Sequence, residues 1–481
     1  MTDATLPVSP AVIGGELVHT AQTLDVLDPS TGELLGRTAR GGQAEIDAAV
    51  AAARAASDGW RATPVAQRAE VLRRIGALVT RDHERLALLE SRDTGKPLTQ
   101  ARADVTVAAR YFSYYASVVE AFFGHSLPAN GDFISYTRHE PFGVTGHIIP
   151  WNYPLQIGCR TIAPAIAVGN CSVVKPAEDA PLAVVEIAKL ALEAGLPPGV
   201  LNVVPGLGAE AGAALSAHTG IDHLSFTGSV PIGELVARTA SANVIPVALE
   251  LGGKSPNIVF PDADLDAAVP TIVKSFLQNA GQTCSAGSRL LVHEAIHDEL
   301  LQRVEKAVAA VSIGAGPTDP DLGPLISLKQ LGRVTEMVER AAESADLRIG
   351  GPDRVTTPPG GFFFPPTVFD AVDPGHEIAQ DEVFGPVVAV STFDSTQQAL
   401  EQANGTEYGL IAAVWTRDFD TAHTMTEQIR AGQVYVNTYG AGGGVEYTFG
   451  GFKKSGYGRE KGFDALDEFC QTKSIVLKVA R

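Results

Sequence analysis

The sequence predicts an α/β protein. Strand-like runs alternate with amphipathic helices along most of its 481 residues, from Gly143 onward they fall into successive βαβ units, and no internal repeat or low-complexity tract interrupts them. Residues 44–56 and 66–80 read as N-terminal helices. In the second of these, Val71, Leu72, Ile75, Leu78 and Val79 recur at the spacing of one packing face. Next come a strand at 144–149, a helix after Pro154, a strand at 172–174, a helix at 182–194, a strand at 201–204, a helix at 209–217, and a strand at 224–225 before another helix. That order has the rhythm of a dinucleotide-binding fold. The apolar run through Glu250 meets Gly252-Gly253, which reads as a hinge because glycine permits turns that other residues resist. One unit is therefore expected over 1–120 and 142–252, a second over 253–450, with 451–466 returning to the first.

Composition narrows the class. With 45% hydrophobic residues the chain can build more than one core without staples. Its 37 Lys+Arg stand against 55 Asp+Glu, and a formal charge of −18 with no local basic patch disfavours nucleic acid and anionic membranes as partners. The four cysteines, Cys159, Cys171, Cys284 and Cys470, are widely spaced and form neither a CxxC pair nor a metal-ligand cluster. Neither disulfides nor a metal is expected. The sequence MTDATLPVSPAVIGGELV lacks the basic and apolar regions of a secretion signal, and no run of about 18 apolar residues follows, so cytoplasm is the expected location.

Chemistry concentrates at Gln278-Asn279-Ala280-Gly281-Gln282-Thr283-Cys284-Ser285, where one cysteine stands in a polar, glycine-containing turn. Cysteine is more often a small buried hydrophobe. Thiolate chemistry would also need a base and an oxyanion donor. Leu249-Glu250-Leu251 offers a lone carboxylate in an apolar strand, and Pro150-Trp151-Asn152-Tyr153-Pro154 offers an amide between two prolines. Together with PWNYP, the segments KPAE, FTGS, LELGGKSPNIV, GQTCSAGSR and EVFGPVV stand in an order and spacing that resemble the NAD(P)-dependent aldehyde dehydrogenase superfamily over essentially the whole chain.

The resemblance implies a Rossmann-type cofactor domain, an α/β catalytic domain and small β segments for oligomerisation, at 121–141 and 467–481. It implies Cys284 as nucleophile, Glu250 as base, and Asn152 with the Cys284 backbone N–H as the oxyanion donors. Thiolate attack, hydride transfer to the nicotinamide and hydrolysis of a thioester by a Glu250-activated water would then turn an aldehyde into its acid. Glu250 speaks against the coenzyme-A-acylating branch, which typically lacks that base, and the retained trio speaks against a catalytically silent binding or structural relative.

For the cofactor, Gly206-Leu207-Gly208-Ala209-Glu210-Ala211-Gly212 is on pattern alone equally a strand-to-helix turn; the resemblance places Gly208 and Gly212 at the adenine side. Ser229, after Phe226 and Gly228, heads a helix where pyrophosphate could bind, or is an ordinary N-cap. The resemblance assigns Lys175 and Glu178 to the adenosine ribose, and Glu382 and Phe384 to the nicotinamide ribose and ring. It adds Ile149, Trp151 and Leu251 to the cofactor set. A carboxylate at Glu178 favours NAD, with NADP as the alternative.

For the substrate, Tyr153, Ile157 and Arg160 share a helical face. Arg160 matches the arginine with which succinic-semialdehyde dehydrogenases hold a carboxylate, which implies an ω-carboxy semialdehyde. The alternatives are a broad range of aliphatic or aromatic aldehydes, and an Arg160 paired with a protein acid such as Glu446. Gln278, where those enzymes have a second arginine, together with Ser285 and Phe449 completes the candidate substrate set, and residues 440–444 suggest a roomy tunnel mouth. The alternating segment FISYTRHE and the tail 472–479 are expected to pair subunits into a homodimer or homotetramer.

Overall fold

The computed structural model describes residues 8–129, 131–353, 355–356, 358–440 and 444–479. Among them the strands make two large sheets and two three-stranded ones. In the first large sheet five parallel strands lie in the spatial order Val247–Glu250, His223–Thr227, Val144–Ile148, Cys171–Lys175 and Leu201–Val203. The chain thus winds one way from Val144–Ile148 and later the other way, and the reversal lies between that strand and His223–Thr227. Connections leaving the carboxyl ends of two such strands diverge and open a crevice. Residues 149–152, 228–229 and 251–252 all start at that edge. Antiparallel strands flank the five: Gly456–Tyr457 beside Val247–Glu250, and Ala11–Ile13 with Glu16–Val18 beyond Leu201–Val203.

Every residue of Cys171–Lys175 is buried, as a strand covered on both faces must be. The helix Pro154–Val168 opens on a proline, which has no N–H to leave unpaired in the first turn, and stops at Gly169 with φ of 109°. It is almost wholly buried, and Arg160 is its one charged residue. The segment expected as a helix at 209–217 is a π-type turn, Gly208–Gly212, running into the helix Ala213–Ala217.

The second large sheet runs Asp346–Ile349, Thr367–Asp370, Val387–Phe393, Arg289–His293, Pro256–Val259, Ile411–Trp415 and Gln433–Val436, parallel except at its first strand. Its apolar core is separate from that of the first sheet. The helix Leu265–Leu277, capped by Asp264 accepting from the Ala267 N–H at 3.3 Å, carries the chain toward Cys284.

Gly252-Gly253 lies between Val247–Glu250 of the first sheet and Pro256–Val259 of the second. Neither glycine has a positive φ. A Cβ on Gly252 would run into the Glu382 carboxylate, and one on Gly253 into the Cys284 carbonyl oxygen, so glycine is needed here for close approach.

The segments expected to pair subunits pair first with each other. Cys470–Lys478 lies antiparallel to Phe133–Pro141 over nine residue pairs, with Ser126–Leu127 on the far side. Phe133, Ile134, Val476 and Leu477 are exposed on it. No helix among the described residues is long and apolar enough to cross a membrane.

Candidate active site

Three consecutive left-handed residues precede the cysteine loop: Asn279 at φ 52°, Ala280 at 54° and Gly281 at 70°. Only the glycine is at ease there, and each of the others costs about 1–3 kcal/mol unless its surroundings hold it. They do. The Asn279 N–H donates to Gln100 Oε1 at 2.9 Å, and its side-chain amide donates to the Asn152 carbonyl at 2.9 Å. Gln282 Nε2 donates to the Asn279 carbonyl at 3.0 Å while Gln282 Oε1 accepts from the Ile326 N–H at 2.8 Å. Asn152 Nδ2 closes the circuit by donating to the Gln282 carbonyl at 3.0 Å. A primary amide has two N–H groups, so this bond fixes the side chain and leaves one donor to spare. In the sequence Asn279 and Gln282 are marked only as two amides flanking the alanine–glycine pair.

Asn152, Glu250 and Cys284 line one cavity of about 330 Å³ at the reversal of the first sheet. Cys284 is half-buried, and that burial pushes its thiol up to about 12, although Arg160 pulls the other way. At neutral pH the resting group is the thiol, not the exposed thiolate that the polar turn suggests. Glu250 is 2% exposed, and neither carboxylate oxygen has a hydrogen-bond partner among the described residues. Burial first, and the Glu460 charge next, hold its carboxyl well above the ordinary carboxylate range.

The candidate cofactor residues follow the same sheet edge. Trp151, Gly228, Ser229, Leu251, Glu382 and Phe384 line the cavity, with the Trp151 and Phe384 rings edge to face at 5.3 Å. Glu382 accepts from the Gly253 N–H at 3.0 Å, and burial raises its carboxyl to about 7. Ser229 caps the helix Val230–Ser241 without a side-chain cap bond, and the buried Thr227 hydroxyl at the cavity wall has no hydrogen-bond partner among the described residues. Phe226 and Ile149 are buried and lie off the cavity wall, Phe226 directly under Gly228.

Lys175 ends its strand and donates to Glu178 at 2.8 Å, while the Gly208 N–H donates to Glu178 at 3.3 Å. A Cβ on Gly208 or Gly212 would meet nothing closer than 3.8 Å. The protein's own packing does not demand glycine there, which fits a ligand lying against that backbone. A donor-rich turn, a ribose-sized acid–base pair and a free helix N-terminus together suit a dinucleotide.

Arg160 corrects an expectation. Its guanidinium is buried against the Glu460 carboxylate, not Glu446, which pairs with Arg110. A cation inside an apolar helix needs a counter-ion, and Glu460 supplies it, so Arg160 is not a free carboxylate receptor. Gln278 is exposed on an outer groove with Thr99, Gln100 and Lys274. Ser285 is half-buried, its carbonyl accepting from the Tyr439 hydroxyl at 2.7 Å. Phe449 is buried with Leu410 and Ile411 in a small cluster against which Cys284 packs. Tyr153 is buried with the Lys96 ammonium 4.2 Å from its ring centroid, and Lys96 in turn donates to Glu90 at 2.9 Å and Asp104 at 2.5 Å. Of the tunnel mouth, residues 441–443 lie outside the described residues.

Residues 17–475 match the family model described as the aldehyde dehydrogenase family. The chain is 42% identical to retinal dehydrogenase 2 of Homo sapiens over 470 residues, 96% of this chain and 90% of that protein. It is 43% identical to hydroxyisobutyraldehyde dehydrogenase of Mycolicibacterium austroafricanum over 456 residues, 94% of this chain and 90% of that one. The NAD⁺ complex of an aldehyde dehydrogenase from Bacillus cereus superposes with a TM-score of 0.97 at 39% identity, covering 99% of this chain and 98% of that one.

Proposed function

The chain belongs to the aldehyde dehydrogenase family, and on that premise we propose that it oxidises an aldehyde through a covalent adduct on Cys284, with Asn152 and Glu250 as partners. As a member it is an NAD-dependent oxidoreductase of aldehydes. One observation carries the residue roles: the three side chains converge on one cavity, with both Glu250 carboxylate oxygens and one Asn152 N–H left uncommitted among the described residues.

Cys284 Sγ attacks the carbonyl carbon as the thiolate, its proton having passed to solvent. The developing alkoxide accepts from the spare Asn152 N–H and from the Cys284 backbone N–H. NAD, when bound, supplies the hydride acceptor. Lys175 and Glu178 would hold its adenosine ribose, Gly228 and Ser229 its pyrophosphate, and Glu382 and Phe384 its nicotinamide end. Glu250 then takes a proton from the water that attacks the acyl-cysteine, releasing the acid and restoring the thiol.

NADH absorbance with simple aldehydes, and identification of the acid product without added coenzyme A, tests this reading. Silence with every aldehyde would refute it. Asn152→Ala is expected to lower kcat by about 10²–10³, the usual effect of deleting an oxyanion donor; a change below about threefold would move that role elsewhere. Glu178→Ser should shift the ratio of kcat/KM toward NADP by about tenfold or more, because it removes a carboxylate and frees the Lys175 ammonium for a 2′-phosphate. An unmoved ratio would count against the ribose assignment. The exposed apolar residues on the strands Phe133–Pro141 and Cys470–Lys478 support a homodimer or homotetramer, which light scattering would measure.

A further inference from the structure

Beside Cys284 lies a cation that the proposed chemistry does not use. The Lys461 ammonium sits 5.1 Å from the centroid of the Phe449 ring, and the Arg160 guanidinium lies 5.0 Å from the same centroid. Phe449 belongs to the small apolar cluster against which Cys284 packs. The two cations differ in their partners. Arg160 is neutralised by Glu460, whereas among the described residues no carboxylate lies within 4.0 Å of the Lys461 ammonium.

The backbone gives independent support. Lys461 has φ of 59°, in the left-handed region, just before Gly462 at 62°. Side chains with a Cβ seldom accept that region, and such outliers gather where a side chain must be aimed. A lysine needed only for solubility would gain nothing from it. The local charges are also unbalanced. Burial disfavours ionised forms of both Cys284 and Glu250, and Arg160 cancels Glu460. Lys461 has no paired carboxylate of its own, and burial followed by the neighbouring Arg160 lowers its ammonium to about 8 against the opposing pull of Cys284, Glu460 and Glu250. An anion placed there would relieve that cost.

We propose, on the reading that Cys284 is the nucleophile, that Lys461 selects aldehydes bearing an anionic group, in the simplest case a carboxylate, at the end away from the reacting carbonyl. The carbonyl carbon meets Cys284, the Phe449 ring flanks the intervening carbons, and the anion pairs with the Lys461 ammonium. The role expected of Arg160 passes to a residue far from it in sequence.

The test is a matched pair of aldehydes, equal in chain length, ending in a carboxylate or in its methyl ester. Wild-type kcat/KM is expected to favour the acid by about tenfold or more, the scale of one hydrogen bond to a charged group. Lys461→Met should lower the acid-to-ester ratio by about 10–100-fold, and Lys461→Arg should keep most of it. A wild-type protein that treats the pair alike, or prefers the ester, overturns the inference without any variant. So does a Lys461→Met protein whose losses on the two substrates are equal, which would assign Lys461 to the thiol's electrostatics. Wild-type protein that binds NAD yet oxidises neither substrate, nor any other aldehyde, would instead remove the Cys284 reading on which the inference stands.

Discussion

Replacing Cys284 with alanine is expected to abolish aldehyde oxidation while leaving NAD binding measurable. The loss should be about 10⁴–10⁶-fold, the scale on which removal of a covalent nucleophile acts. No neighbouring thiol can stand in, since Cys159 is buried in a helix, Cys171 in a strand, and Cys470 lies at the three-stranded sheet. The dinucleotide candidates Lys175, Glu178 and Ser229 belong to the first sheet's carboxyl edge and do not depend on the sulfur. Quenching of Trp151, which lines the cavity, would report binding in the variant. Substantial turnover by this protein would end the covalent mechanism.

Glu250→Gln should separate the two halves of the reaction. The thioester still forms, so one equivalent of NADH per site appears in a burst, but its hydrolysis falls by about 10²–10⁴-fold without a base. The pH dependence follows from the carboxyl's surroundings. A raised pKa keeps Glu250 protonated to higher pH, and only the ionised form can accept a proton, so the steady-state rate of the wild-type protein should climb with pH over a range lying above that of an ordinary carboxylate. In the glutamine variant the slow phase should lose that climb. If burst and slow phase vanish together, Glu250 acts before the thioester, in withdrawing the thiol's proton.

The parts of this architecture that depend on near neighbours were legible in the sequence. Apart from the π-type turn at Gly208–Gly212, the strand–helix alternation from 144 to 225 falls where the periodicity puts it, because each βαβ unit buries its own apolar face. Asn152, Glu250 and Cys284 stand out because each is a reactive group in a setting of prolines, apolar residues or glycine. What could not be read involves residues distant along the chain or several small effects at once. Nothing near Arg160 announces Glu460, and nothing near Asn279 says that Gln100 will hold its N–H in a left-handed turn. The polar turn around Cys284 suggested an exposed thiolate because the burial that overrides it comes from elements far away in sequence. At Gly252-Gly253 the pattern reveals that glycine is required, but not that close approach to Glu382 and Cys284 requires it.

The short strand Gly456–Tyr457 has a consequence for how the protein is made. It completes the side of the first sheet next to Glu250, with Gly456 opposite Glu250 and Tyr457 opposite Leu249, and it leads directly to Glu460 and Lys461. A ribosome delivers the earlier part of the chain first, at about 5–20 residues per second, and that part can begin to fold as it emerges. The strand bearing Glu250 must then wait with an unpaired edge while the whole second sheet is synthesised. During that interval Arg160 has no Glu460 to neutralise it. A nascent polypeptide stalled before Gly456 would carry Cys284 and Glu250 without the strand that borders Glu250 and without the counter-ion of Arg160.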